Sequence, residues 1–242
     1  MALMPLPPAT PNLNPIYRGS LLSKDLSKLV IAIDGPAGAG KSTVSKALAK
    51  ELELSYLDTG AMYRCLALKA HREEISRQDE TDIAALMEST VITFGHGDPQ
   101  PVYLDSEDVT ALIRTPEVSD FASAISAHSA VRRALVARQQ ALVADGGVIL
   151  EGRDATTVIA PHADLKIYLT ASLEERAKRR RLEFEQKGEA GDFEAVRQQI
   201  EHRDHRDITR HDSPLRVADD AVIIESGGVP VAEVIAKIKA LI

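Results

Sequence analysis

Apolar residues fall in short, near-continuous runs separated by stretches of helical spacing. Lys28-Leu-Val-Ile-Ala-Ile-Asp34 predicts a strand buried on both faces. A glycine-rich turn and a helix over 41–52 follow, then a strand over 54–57 and a helix over 61–72. Strand–helix–strand–helix order is the pattern of a parallel sheet. Residues 73–140 break that rhythm. They predict a short helix over 79–88, short strands over 91–94 and 101–104 around a turn-rich loop, and mostly helix over 107–145, with Pro116 as a boundary. Alternation resumes with strands over 148–151 and 165–169, charged helices over 172–186 and 193–210, a strand over 221–224 and an amphipathic helix over 231–241. The expectation is a three-layer α/β/α unit around a central parallel sheet of about five strands, with 73–140 as an inserted lobe beside it.

Composition narrows what such a unit does. Aromatic residues are 4% of the 242, with no Trp, which argues against stacking platforms for single-stranded nucleic acid. The net charge is −7, a poor basis for wrapping DNA or lying on an anionic membrane. One cysteine, Cys65, excludes an intrachain disulfide and a cysteine-based zinc cluster. Residues 1–27 are proline-rich at the start, lack the pattern of a secretory signal, and read as a flexible arm. No run approaches the ~18 apolar residues of a membrane-spanning helix. The expected compartment is the cytoplasm.

Gly35-Pro36-Ala37-Gly38-Ala39-Gly40-Lys41-Ser42-Thr43 fits G-x-x-x-x-G-K-[ST] between a buried strand and a helix, the context of a P-loop. Glycines let successive N–H groups curl inward around phosphate oxygens, and the helix N-terminus adds a positive end. Lys41 is expected to reach the β- and γ-phosphates, and Ser42 to offer its hydroxyl to Mg²⁺. The motif specifies a nucleoside triphosphate and leaves the acceptor open.

Four further clusters each carry a bland reading beside the functional one. Leu57-Asp-Thr-Gly-Ala-Met-Tyr-Arg64 stands at a strand's carboxyl end, where open α/β sheets bind ligands, yet Asp58 and Thr59 also suit a plain helix cap. Glu151-Gly-Arg-Asp154 is a second such edge; Arg153 can fork onto phosphate, or merely pair with Asp154 on the surface. Arg176, Arg179 and Arg180 share a helix face that either covers a transferring phosphoryl group or is simply solvated, with Gly188 and Gly191 suited to a hinge. Arg203, Asp207 and Arg210 form one helical stripe, either a binding surface or a salt-laced face, and Asp204 is expected to pair with the next turn. His202, His205 and His211 match no zinc spacing.

These stretches, with Ile113-Arg-Thr-Pro-Glu-Val118, Val131-Arg132 and Ala171-Ser-Leu-Glu-Glu-Arg-Ala-Lys-Arg-Arg180, resemble bacterial-type cytidylate kinases of the nucleoside monophosphate kinase group over about residues 28–240. The resemblance implies a P-loop core of 28–72 and 141–242, an inserted NMP-binding lobe of 73–140 and an Arg-rich helical lid of about 172–192. It implies ATP with Mg²⁺ as donor, CMP or dCMP as acceptor, no nucleic-acid or membrane partner, and a monomer. Carried over, Thr59, Arg64 and Arg153 hold the acceptor's phosphate. Ser123, Arg132 and Arg210 surround the cytosine edge. Asp154, Arg203 and Asp207 fix sugar and base, and Arg176, Arg179 and Arg180 close over ATP. Lys41, Arg153 and the three lid arginines are the catalytic set. Two departures stand out: Ala155-Thr156 replaces the family's usual aliphatic residue and glycine, and the N-terminal arm is long. Other acceptors (UMP, AMP, shikimate, a sugar acid), a nucleotide-dependent switch, and a nucleic-acid contact through the basic run 176–181 are the competing readings.

Overall fold

The structure is a computed structural model that describes residues 25–97, 99–186, 188 and 191–242. The expected arm lies outside the described residues except for 25–27, where Asp25 caps a single 3₁₀ turn, Leu26–Lys28, in place of the extended chain expected there. Five parallel strands form the central sheet: β1 (Val30–Asp34), β2 (Ser55–Asp58), β6 (Val148–Gly152), β7 (Leu165–Thr170) and β8 (Val222–Glu225). Their order is β2-β6-β1-β7-β8. The central strand β1 therefore has β6 on one side and β7 on the other, with Asp34 opposite Gly152 and Tyr168.

The period-two alternation of β1 decides what packs on each face. Ile31 and Ile33 point into a cluster with Val44 and Leu48 of helix α1 (Lys41–Leu52) and Val234, Ile235 and Ile238 of the last helix. Ala32 points the other way, into a cluster with Met62 and Leu66 of helix α2 (Thr59–Arg72). That second cluster continues into the insertion through Ile83 of α3 (Glu80–Ser89), Val118 of α4 (Pro116–Ile125) and Leu135 of α5 (Ser129–Val143). The inserted segment thus shares its core with α2.

The insertion also holds a small antiparallel sheet, β3 (Ile92–Phe94), β4 (Val102–Leu104) and β5 (Glu107–Asp108). The expectation of mostly helix over 107–145 fails at its start. Asp105 and Ser106 take φ of 49° and 74° and turn the chain into a hairpin, and a 3₁₀ turn at Leu112–Arg114 intervenes before α4. Helices α6 (Leu173–Gln186) and α7 (Phe193–Thr209) pack together through Ala177, Val196 and Ile200, and that cluster also holds Ala37 of the glycine-rich loop. Helix α8 (Val231–Lys239) closes the chain.

Gly35 begins the loop at φ 150°, and a Cβ there would stand 1.9 Å from the carbonyl oxygen of Leu169. Gly35→Ala is therefore expected to cost on the order of 3 kcal/mol, read as a fall in the midpoint of chemical denaturation.

Candidate active site

The loop between β1 and α1 curls because Gly35, Gly38 and Gly40 all adopt positive φ. No side chain caps α1, so its first N–H groups are left for a ligand. Lys41 is buried and donates to the carbonyls of Gly35 (2.7 Å) and Pro36 (2.8 Å). Burial, with Arg153 and Arg203 nearby, pushes its ammonium down to about 7, against the pull of Glu151 and Asp34. Ser42 and Thr43 are exposed at the start of α1.

Two of the three arginines on the α6 face lie against this loop. Arg176 is buried and donates to the carbonyls of Ala37 (2.9 Å) and Ala171 (3.0 Å) and to the Asp204 carboxylate. Arg179 donates to the Ala39 carbonyl (3.3 Å) and to Ser226. Arg180, one position on, is rotated onto Glu183 (2.7 Å) and the face of Phe184. Asp204 corrects a sequence expectation. Instead of pairing along its own helix, it reaches the loop and accepts from the Ala37 N–H at 3.0 Å. Helix α7 packs on α6 beneath Ala37, so the inward face of its stripe meets the loop and not solvent.

The second edge lies at the carboxyl ends of β2 and β6. Helix α2 starts at Thr59, two residues earlier than the apolar spacing predicts, because the Asp58 side chain caps it by accepting from Ala61 N–H at 2.9 Å. Asp58 also pairs with Arg64 at 2.6 Å, and the Thr59 hydroxyl donates to the Glu151 carbonyl at 2.6 Å. Past β6, Arg153 bonds Asp207 at 2.9 Å. Asp154 pairs with Arg132 and lies 3.9 Å from Arg210, which also bonds Asp207 at 3.3 Å. Ser123 accepts from Arg206 at 2.9 Å. The structure thus brings Arg132, Arg153, Asp154, Asp207 and Arg210 into one buried network. The Arg132 Nε and the Tyr63 hydroxyl beside it are buried without a hydrogen-bond partner among the described residues.

Arg203 lies between the two edges. Burial, with Arg153 and Arg64 nearby, pushes its guanidinium down to about 10, against Asp207 and Asp204. Two buried cations, Lys41 and Arg203, each lowered by burial and by Arg153 beside them, are the electrostatic signature of a cleft for anions. Glu151, to which the sequence motifs give no role, accepts from the Tyr56 hydroxyl. Burial and Asp58 raise its carboxyl, against Lys41. A carboxylate near the end of an otherwise apolar strand was the available signal.

A phosphate-cradling loop facing a second cationic edge, both at the carboxyl side of a parallel sheet, defines a P-loop kinase with a small phosphorylated acceptor. The chain belongs to the cytidylate kinase family, whose model matches residues 31–242. A protein of Listeria welshimeri named cytidylate kinase is 48% identical over 214 residues, covering 88% of this chain and 96% of that protein. One of the same name from Caldicellulosiruptor bescii is 50% identical over 214 residues, covering 88% and 95%. A solved gluconokinase from Sinorhizobium meliloti aligns at 15% identity with a TM-score of 0.46, over 89% of this chain and 91% of that one.

Proposed function

We propose that this protein transfers the γ-phosphoryl group of ATP to CMP or dCMP, giving ADP and CDP or dCDP. The observation that supports this most is the cation cluster of Lys41, Arg153 and Arg203, which joins the P-loop to the acceptor edge. Two phosphate-bearing ligands placed end to end would neutralise it. Thr59, Arg64 and Arg153 hold the acceptor's phosphate. Ser123, Arg132 and Arg210 surround the cytosine edge, and Asp154, Arg203 and Asp207 fix the sugar and base, Asp154 being tied to Arg132 and Arg210 in one network. The unpartnered Arg132 Nε and Tyr63 hydroxyl favour a polar ligand there, since an unmade buried hydrogen bond costs about 1–3 kcal/mol.

The donor set at the head of α1 suits Mg²⁺: the exposed Ser42 hydroxyl, with the Glu151 carboxylate near it, offers hard oxygens. When bound, the ion would neutralise charge on the β- and γ-phosphates. An oxygen of the acceptor phosphate forms the new bond to the γ-phosphorus. The bond to the bridging oxygen breaks, and ADP leaves with the electron pair. That acceptor oxygen is already largely ionised near neutral pH, so no strong general base is needed. The chain's contribution is alignment and charge neutralisation by Lys41, Arg153, Arg176 and Arg179. Arg180 joins them only if its pairing with Glu183 is exchanged on closure of the lid, about 172–192.

The division into core, lid and an NMP-binding lobe of 73–140 is part of this proposal, as are a monomer and a cytoplasmic location. Among the described residues no helix is long and apolar enough to cross a membrane. The test is ADP release from ATP with Mg²⁺ across CMP, dCMP, UMP, AMP and shikimate. CMP and dCMP are expected to stimulate release most. Stimulation by another acceptor, or slow release indifferent to all of them, would overturn the assignment.

A further inference from the structure

Asp34 ends β1 and stands opposite Gly152, the end of β6. After these two residues the chains part, one into the P-loop and the other into the loop carrying Arg153 and Asp154. The Asp34 carboxylate, fully buried, bridges them. It accepts from the N–H of Ala155 (2.9 Å), the N–H of Thr156 (2.8 Å) and the Thr156 hydroxyl (2.6 Å).

Those N–H groups open a single π turn, Ala155–Ile159. Asp154 occupies the capping position of that turn but makes no capping hydrogen bond with its side chain. The capping is done from another strand by Asp34, and the Asp154 carboxylate is turned to Arg132 and Arg210 instead.

We propose that Thr156 is a positioning residue for the phosphoryl acceptor, its hydroxyl completing a buried strut from Asp34 that fixes the loop bearing Arg153 and Asp154. The proposal rests on the acceptor reading above and concerns the residue that gives Asp34 two of its three donors. A glycine there would keep the N–H donor, lose the hydroxyl and admit more backbone freedom. Thr156 is 1% exposed and Ala155 0%, so water is poorly placed to replace a lost donor. Burial raises the Asp34 carboxyl, and the Thr156 and Ala155 donors oppose that, so each of the three bonds helps keep the acceptor in the ionised form that grips the turn.

The experiment compares the full-length protein with Thr156→Ala, Thr156→Gly and Thr156→Ser, measuring KM for CMP and for ATP separately. Ala deletes the hydroxyl without setting a methyl group against the carboxylate; Ser keeps it. Ala and Gly are expected to raise KM for CMP by roughly tenfold or more, from one lost hydrogen bond to a charged group, with KM for ATP within about twofold. Ser is expected to restore the wild-type value within about threefold. A second readout needs no turnover: amide hydrogen exchange at Ala155 should speed up in the Ala and Gly variants and not in Ser. Unchanged KM for CMP in Ala, equal rises for both nucleotides, or no rescue by Ser would each overturn the positioning role. Unchanged exchange at Ala155 would overturn the strut itself. A wild-type protein that leaves CMP unphosphorylated would instead overturn the acceptor assignment, and the exchange result would still judge the strut.

Discussion

Lys41→Ala is expected to lower turnover by about 10²–10³ while the protein stays folded and becomes no less stable at neutral pH. The catalytic half follows from charge. The Lys41 ammonium is placed at the P-loop, where negative charge spreads over the γ-phosphoryl oxygens, and alanine offers no replacement. The stability half follows from burial. The ammonium is held down to about 7 by burial and by Arg153 and Arg203, well below its ordinary value of about 10.4. Between those two values the unfolded chain binds the extra proton more readily than the folded one does. Stability tied to Lys41 therefore rises with pH across that window, and its cost is complete below about pH 7. Removing the side chain removes the cost, so the gain of the alanine variant should be largest at pH 6.5 and fade by pH 10. Single-turnover rates and denaturant midpoints at both pH values check the two halves. Unchanged turnover would take Lys41 out of the mechanism, and a large loss of stability would show that its bonds to the Gly35 and Pro36 carbonyls hold the loop.

Legibility followed the range of the interactions. Ile31, Ile33 and Leu48 announce β1 and α1 because burial on a strand or helix imposes a short period on the sequence. The P-loop is equally local: three glycines with positive φ, a lysine and a serine within nine residues. Asp204 was misread because its partner, the Ala37 N–H, lies 167 residues away and leaves no mark on the spacing around Asp204. Arg176 and Arg179 were legible as a face of α6, but nothing local shows that the face is docked on the loop. Glu151 carries no local sign of its role, because its partner is on another strand. Its pairing with Tyr56 joins two strands adjacent in the sheet and distant in the chain. The turn at Ala155–Ile159 carries no capping residue of its own, since Asp34 serves it from β1. The hairpin at Asp105 and Ser106 lacks the glycine that usually signals left-handed backbone, so the helical reading ran through it.

Arg203 and Asp207 occupy one stripe of α7, and alanine at each should weaken CMP far more than ATP but with opposite effects on stability. The Arg203 side chain makes no hydrogen bond or ion pair among the described residues, and burial, with Arg153 and Arg64 nearby, pushes its guanidinium down to about 10 against the pull of Asp207 and Asp204. A guanidinium lowered in this way stays charged at neutral pH and gains most when an anion binds beside it. Arg203→Ala is therefore expected to raise KM for CMP by roughly 10–100-fold, the range of a charge-assisted hydrogen bond, and to leave the denaturation midpoint level or higher. Asp207 is the reverse case. Its carboxyl is held below the ordinary range: Arg153, Arg203 and Arg210 outweigh the opposing effect of burial. It accepts from Arg153 at 2.9 Å and Arg210 at 3.3 Å. Asp207→Ala strands those guanidinium groups in a buried network, a loss of about 3–5 kcal/mol for breaking such a pair, discounted where Arg153 meets solvent. Its KM for CMP should rise as well, because Arg153 and Arg210 lose the partner that orients them. Steady-state kinetics with each nucleotide varied in turn, beside denaturant melts, separate the outcomes. If both variants lose ATP and CMP affinity equally, α7 serves the P-loop through Asp204 and not the acceptor. If Arg203→Ala destabilises as much as Asp207→Ala, Arg203 is a structural member of the network and not a group held ready for the monophosphate.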